Sequence, residues 1–400
     1  MKTEIGFIEV TLLESILNRV EYALKHNIFI QRLYKIIFST IFRLIGIFVK
    51  TDDNLILFNG HGKKYNDSPR AIYEYISKNK NYNKYKLVWA LDKPNEYSIH
   101  NSSKVKMDSF KYFIIALKAK YWVSCVNIER GLNFKKKQTI YLNTWHGTPL
   151  KYIGNAVAER KDFDFSAINY FCYSGNYEKE IYKRDFNIPE NNLLLSGLPR
   201  NDELYNVSPE IIKKYKKELN IPRDKKVILY APTWRDSKNK GNNYSLSPPI
   251  DVSFIQRELE EDYIFMLRTH SYTNNLMGVK FNDFFRDFSE YPEINKLLIA
   301  ADILISDYSA TIFDYSILEK PIICFAYDYK QYSEERGLYI DVKKELPSGI
   351  VNTQEEVVEK IKTMNYQEEC IKTAHFKSKY LEKGGNATEI CAKTLIGVKD

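Results

Sequence analysis

The sequence predicts an α/β protein of two Rossmann-like domains facing a cleft, preceded by an amphipathic helix. Three observations predict it. Short apolar runs bounded by Gly, Pro, Asn and Ser turns alternate with helical segments, the pattern of parallel sheets with crossover helices. The alternation occurs twice, on either side of a polar helical connector at Pro209–Leu219. Two histidines follow directly on strand ends, where open α/β sheets bind ligands.

A chain of 400 residues suits two domains with an appendage, and the pattern divides it at 1–51, 52–205 and 206–400. With 44% hydrophobic and 28% charged residues it can fill two cores and stay soluble. The formal charge of +8 admits nucleic acid, anionic lipid or phosphorylated substrates as partners. No nucleic-acid-binding module is recognisable, and the clusters Lys135–Lys137 and Lys213–Lys217 read as solvated faces. Nucleic acid is therefore not an expected partner. The five cysteines are scattered, odd in number and lack CxxC spacing, which argues against a disulfide framework or a structural zinc site. That usage fits a reducing cytoplasm. Met1–Leu24 carries scattered Glu and no apolar core with a cleavage site, so no cleavable signal peptide is expected.

Ile28–Lys50 reads IFIQRLYKIIFSTIFRLIGIFVK. Arg32, Lys35, Ser39, Arg43, Gly46 and Lys50 recur at steps of three and four, a narrow polar stripe on an otherwise apolar helix. Its charge-free run Ile36–Phe42 falls far short of the about 20 residues a bilayer span needs. Such a helix fits, in decreasing order, the membrane interface beside anionic lipid, the protein's own body, or a tilted span.

In the first half, strand Asn54–Phe58 and the Asn59-Gly60-His61-Gly62 turn precede a helix opened by Asp67-Ser68-Pro69. Strand Lys86–Ala90, helix Ser109–Lys118 and strand Tyr121–Val126 follow. The next segment, Tyr141–Gly154, reads YLNTWHGTPLKYIG: a strand breaks at His146-Gly147, and Thr148-Pro149 is a good helix start. His146 is thereby placed on a strand–turn–helix, a candidate general base. Strand Tyr170–Tyr173, helix Glu178–Arg184, strand Leu193–Leu195 and the Gly197-Leu198-Pro199-Arg200 turn complete this half.

The second half opens with strand Val227–Tyr230 and the loop Ala231–Arg235, followed by the polar stretch Lys238–Pro249, expected to be a mobile loop. Strand Tyr263–Leu267 ends in Arg268-Thr269-His270, where Arg supplies fixed donors for phosphate oxygens and His adds a donor or a proton. A buried strand ends at Asp307, and Ser309 and Thr311 lie at the start of a helix. Hydroxyls and free backbone N–H groups there suit a phosphate, beyond what capping alone would need. Strand Pro321–Ala326 follows. The polar loop Glu334-Glu335-Arg336-Gly337 holds the polar end of a ligand or is merely salt-bridged, and helices run from Gln354 to the end. There is no Walker-A loop, no GxGxxG fingerprint and no DxD-like metal pair, Asp162 and Asp164 matching one only superficially, so no metal or cofactor is expected.

At WHGTPLKYIG, APTWR, RTH, DYSATIFDYSILEKPIICFAYD and ERGLYID the chain resembles the CDP-glycerol glycerophosphotransferases of teichoic acid synthesis, over roughly Asn54 to Asp341. GHGKKYNDSPRAIYEYI also resembles that family's first-domain loop. The resemblance implies a GT-B-like fold and peripheral attachment to the cytoplasmic face of the bacterial cell membrane. It implies transfer of glycerol phosphate from CDP-glycerol to a hydroxyl of a polyprenyl-diphosphate-linked saccharide acceptor, with release of CMP. The family's two required histidines fall on His146 and His270. Substrate contacts then fall on Trp145, Gly147, Thr148, Pro232, Thr233, Arg235, Arg268, Asp307, Ser309, Ala310, Thr311, Glu335 and Arg336. Relatives commonly have two serines after Asp-Tyr. This chain has Ser309-Ala310, which moves part of the diphosphate contact to Thr311. CDP-ribitol or another CDP-alditol as donor, in wall or capsule synthesis, and a GT-B nucleotide-sugar glycosyltransferase remain as alternatives. A short amino-terminal segment favours a primase or short-chain transferase, and a homo-oligomer stays open. The residue that orients His146 is not evident from the sequence.

Overall fold

The computed structural model describes residues 27–158, 163–233, 249–269 and 280–397. The chain forms two compact units, one of Met1–Tyr65 with Asn79–Tyr141, the other of Asn66–Lys78 with Leu142–Asp400.

The first unit is built on strands β1 (Asp52–Asn59), β2 (Lys86–Leu91), β3 (Ser102–Lys106) and β4 (Ala119–Ser124), parallel and in the order β3-β2-β1-β4. Ile56, Leu57, Phe58, Trp89 and Trp122 are fully buried, as expected of a parallel sheet covered on both faces. Helix α1 (Ile28–Phe48) packs on this unit. Two members of its polar stripe, Ser39 and Arg43, bond to the body, while Arg32 and Lys50 stay exposed. Asn133 N–H donates to Ser39 Oγ at 3.0 Å, and Arg43 Nε donates to the Asn133 carbonyl at 2.7 Å. Phe42 stacks on Phe113 at 4.4 Å, and Gly46 brings the helix against Leu117. The physical reason is that Ser39, Phe42 and Gly46 share the face that fits the body and carries its hydrogen bonds. The wide apolar face is left outward, with Phe29, Ile36, Leu44, Ile47 and Phe48 exposed. Among the described residues no helix is long and apolar enough to cross a membrane.

The second unit contains helix α2 (Asp67–Lys78), the last two residues of strand β5 (Ile140–Asn143), and the strands β6 (Tyr170–Tyr173) and β7 (Leu193–Leu195) parallel to it, with α3 (Asn176–Phe186) between β6 and β7. It also holds a six-stranded parallel sheet in the order β10-β9-β8-β11-β12-β13, from β8 (Lys226–Tyr230), β9 (Tyr263–Leu267), β10 (Phe285–Asp287), β11 (Ile303–Ser306), β12 (Ile322–Phe325) and β13 (Ile350–Val351). Alternate residues of its strands enter separate cores. Val227, Leu229, Met266, Leu304 and Ile322 face one way, and Ile228, Tyr230, Phe265, Ile305 and Ile323 the other. That period of two buries both faces of the sheet and delivers the strand ends as a row of loops.

Two predicted elements differ. No α-helix follows His146-Gly147; the chain runs on extended after Pro149 to a single 3-10 turn at Gly154–Ala156. Thr148 gives its side chain to Glu178, and Tyr177 Oη donates to the Pro149 carbonyl at 2.6 Å. Tyr152 N–H donates to the Gly337 carbonyl and Tyr339 N–H to that of Leu150, around a Lys151–Leu338 antiparallel bridge. The backbone groups that would have started a helix are thus taken by tertiary partners. Glu334–Arg336 is not a loop but the last turn of a helix, Tyr329–Arg336. Gly337 ends it at φ 68°, and a Cβ there would lie 2.2 Å from the Tyr152 ring.

Candidate active site

Every described candidate residue lies in the second unit. The His146 turn follows β5. Asn143 Oδ1 accepts from Trp145 N–H at 2.8 Å, and Thr144 Oγ1 donates to the Trp145 carbonyl at 3.0 Å. These bonds hold Trp145 at φ 53°, a left-handed conformation that costs a bulky residue about 1–3 kcal/mol. Its indole packs edge-on against Phe186 at 4.6 Å and lies 4.0 Å from the His146 ring, centroid to centroid. The imidazole is thus braced on one side by a ring that is itself anchored in a cluster of phenylalanines. Next to it, Gly147 has φ 142°, and a Cβ there would lie 2.8 Å from Ala310 Cβ and 3.2 Å from Arg200 Nη2. Only glycine lets the turn approach the loop after β11 so closely.

That loop carries Asp307 to Thr311. The Asp307 carboxylate is buried and accepts from the backbone N–H of Thr233 and of Tyr308, both at 2.7 Å. Through Oδ1 it ties the β8 and β11 loops together. Ser309 Oγ donates to Thr311 Oγ1 at 3.0 Å and accepts from Thr311 N–H at 3.2 Å, at the start of α4 (Thr311–Ser316). The two hydroxyls expected to contact a diphosphate therefore lie side by side, beside the His146 turn.

Arg268 is largely buried at the end of β9. Its Nη1 donates to the carbonyls of Phe288 and Tyr291, at 3.1 and 2.6 Å, and burial lowers its pKa. Part of this guanidinium is committed to the 288–291 backbone. Pro232 and Thr233 lie at the end of β8, while Arg235 and His270, like the stretch 238–248, are outside the described residues. Glu335 and Arg336 are exposed on their helix, where Gln331 Nε2 donates to Glu335 Oε1 at 3.0 Å. Among the described residues no group of three or more His, Cys, Asp or Glu could hold a metal ion.

Five residues of the site were not singled out as functional in the sequence. Arg200 Nη1 donates to Asp67 Oδ2 and to the His146 carbonyl, each at 3.0 Å, and its Nη2 donates to Asp314 Oδ2 at 2.6 Å. Asn201 Nδ2 donates to the other Asp314 oxygen at 2.6 Å. The Arg200, Asp67 and Asp314 side chains are only 17%, 9% and 10% exposed, so this is a buried ionic cluster, in which losing one partner costs about 3–5 kcal/mol. Burial pushes the Asp314 carboxyl up, against the pull of Arg200 and Asn201. Glu178, fully buried in the first turn of α3, accepts from Ser174 N–H and is bonded by Thr148, while its Oε1 has no hydrogen-bond partner. Burial raises its carboxyl to about 7.

Parallel sheets covered by helices, with ligand-competent loops at their strand ends, place the chain in the class of GT-B-like α/β folds. The chain belongs to the CDP-Glycerol:Poly(glycerophosphate) glycerophosphotransferase family, whose model matches residues 41–395. As a member it is a CDP-glycerol glycerophosphotransferase. It is 34% identical over 398 residues to the teichoic acid glycerol-phosphate transferase of Staphylococcus aureus, covering 94% of this chain and 98% of that one. It is 35% identical over 382 residues to the teichoic acid poly(glycerol phosphate) polymerase of Bacillus spizizenii, covering 90% and 96%. Since a transferase and a polymerase both match nearly end to end, length does not separate the two activities here. The solved structure of the wall teichoic acid polymerase TagF aligns with a TM-score of 0.80 at 31% identity, covering 94% of this chain and 96% of that one. A TagF variant soaked with CDPG aligns with a TM-score of 0.80 at 29% identity, covering 95% and 97%.

Proposed function

We propose that the chain transfers glycerol phosphate from CDP-glycerol to a hydroxyl of a polyprenyl-diphosphate-linked saccharide, in the synthesis of teichoic acid or a related cell-surface polymer. The observation that carries this reading is the seating of the His146 turn against the Ser309–Thr311 loop. A base and a set of phosphate donors then share one site. In the reaction, His146 takes the proton of the acceptor hydroxyl. The oxygen attacks the phosphorus that bears the glycerol, and the bond to the bridging oxygen breaks. CMP leaves with that oxygen. Arg268, His270 and the Ser309 and Thr311 hydroxyls serve the diphosphate, His270 being one of the two histidines the family requires. Such a transfer depends mainly on positioning and charge stabilisation, with a base in reach of the hydroxyl.

The lipid-linked acceptor requires access to a membrane. The outward apolar face of α1, with Arg32 and Lys50 exposed beside it, supports a peripheral position on the anionic cytoplasmic face. The test is incubation of the full chain with CDP-glycerol, CDP-ribitol and a lipid-linked disaccharide, following CMP and the mass of the product. CMP with a product one or more glycerol phosphates heavier is expected. Release of a nucleoside diphosphate, or reaction with CDP-ribitol alone, would overturn the donor assignment. His146→Ala is expected to abolish turnover while CDP-glycerol still binds.

A further inference from the structure

We infer that Arg200 is the positioning residue for His146, locking its turn to the helix that follows Ser309, and this rests on His146 being the base. One guanidinium reaches three partners from three distant parts of the chain: the His146 carbonyl, Asp67 at the start of α2 and Asp314 on α4. Further bonds fix its backbone. Arg200 N–H donates to Ser68 Oγ at 3.3 Å, and Asn295 Nδ2 donates to the Arg200 carbonyl at 2.7 Å. Asn201 holds the second oxygen of Asp314, so the carboxylate cannot swing away from the arginine.

The geometry explains why an arginine is needed. The His146 turn is held at a left-handed Trp145 and a Gly147 that presses on Ala310. Such a backbone persists only where its surroundings over-determine it. The planar fork of a guanidinium can serve two carboxylates and a carbonyl at once, which the compact ammonium of lysine cannot do. Asp314 stands three residues after Thr311, so the bond that orients the base also fixes the segment bearing the diphosphate hydroxyls. Arg200 touches neither reacting atom in this account. It sets the distance between the groups that do.

The test compares wild type, Arg200→Lys, Arg200→Ala and His146→Ala in the full chain, measuring CMP release against CDP-glycerol concentration alongside thermal unfolding. Arg200→Lys, which keeps the charge, is expected to lose about tenfold in kcat with KM for CDP-glycerol within about twofold, since small misplacements of a catalytic group cost up to about a hundredfold. Arg200→Ala is expected to lose about a hundredfold and to regain part of it with millimolar guanidinium or ethylguanidine. The inference is overturned if Arg200→Lys keeps wild-type kcat while His146→Ala is inactive. It is equally overturned if the loss appears in KM alone, or if Arg200→Ala is folded and not rescued. Full turnover by His146→Ala would instead remove the base assignment, and the positioning role with it.

Discussion

Glu178→Gln isolates the acid buried beneath the His146 turn. The carboxyl is fully enclosed in the first turn of α3, and its Oε1 finds no hydrogen-bond partner. Its ordinary value of 4.5 rises to about 7, chiefly through burial, although bonds from Thr148 and Ser174 pull the other way. The unfolded chain therefore gives up this proton near pH 4.5, while the folded chain keeps it until about 7. Between those values the unfolded state is favoured increasingly as pH rises. Stability contributed by the neutral carboxyl is complete below 4.5 and lost by about 7, after which the curve is level. At about 1.4 kcal/mol per pH unit, the loss is roughly 3 kcal/mol. Glutamine keeps an acceptor for Ser174 N–H and never ionises, so Glu178→Gln escapes this loss. Urea unfolding of both proteins from pH 4.5 to 8.5 should show the variant gaining roughly 3 kcal/mol on the wild type up to neutrality, then holding that lead. A difference that does not vary with pH would refute the argument, because it would mean that the carboxyl titrates alike in both states.

Two further outcomes follow from the packing. Gly147→Ala adds a methyl 2.8 Å from Ala310 Cβ at a φ of 142°, and should cost about 1–3 kcal/mol in urea unfolding along with most of the turnover; Ala310→Gly on the same chain should restore part of both. Ile36→Glu with Leu44→Glu, on the outward face of α1, should leave stability within about 0.5 kcal/mol yet abolish sedimentation with anionic vesicles, and unchanged sedimentation would remove α1 as the contact.

Much of the fold was legible because parallel strands buried on both faces are spelled as apolar runs, as in NLILF, KLVWA, KVILY and PIICF. β3 was not, since SSKVK is mostly polar, and β13 has only two residues. The turn at His146 was found from its breakers, yet its sequel was misread. Thr148 and Pro149 are good helix starters, but tertiary bonds to Glu178, Tyr177 and Tyr339 outweighed local preference. Ser309 and Thr311 stood out as candidates because hydroxyls cluster after an apolar strand. Arg200, Asp67 and Asp314 did not, being 114 and 133 positions apart in the pairs they form. Asp67 and Arg200 showed only as a helix start and a turn residue, and Asp314 as a carboxylate in the otherwise uncharged run TIFDYS. In α1 the spacing of polar residues does not say which of them meet the body: Ser39 and Arg43 do, and Arg32 and Lys50 do not.

The anchoring of α1 has a mechanical consequence. The helix is 21 residues long, about 30 Å, and it is fastened to its unit through Ser39, Phe42 and Arg43 rather than hung from a tether. A bilayer that took up its outer face would grip a handle welded to a sheet. Rotation about the helix axis would be stopped, and the first unit would ride the surface at one fixed tilt, its search for acceptors reduced from three dimensions to two.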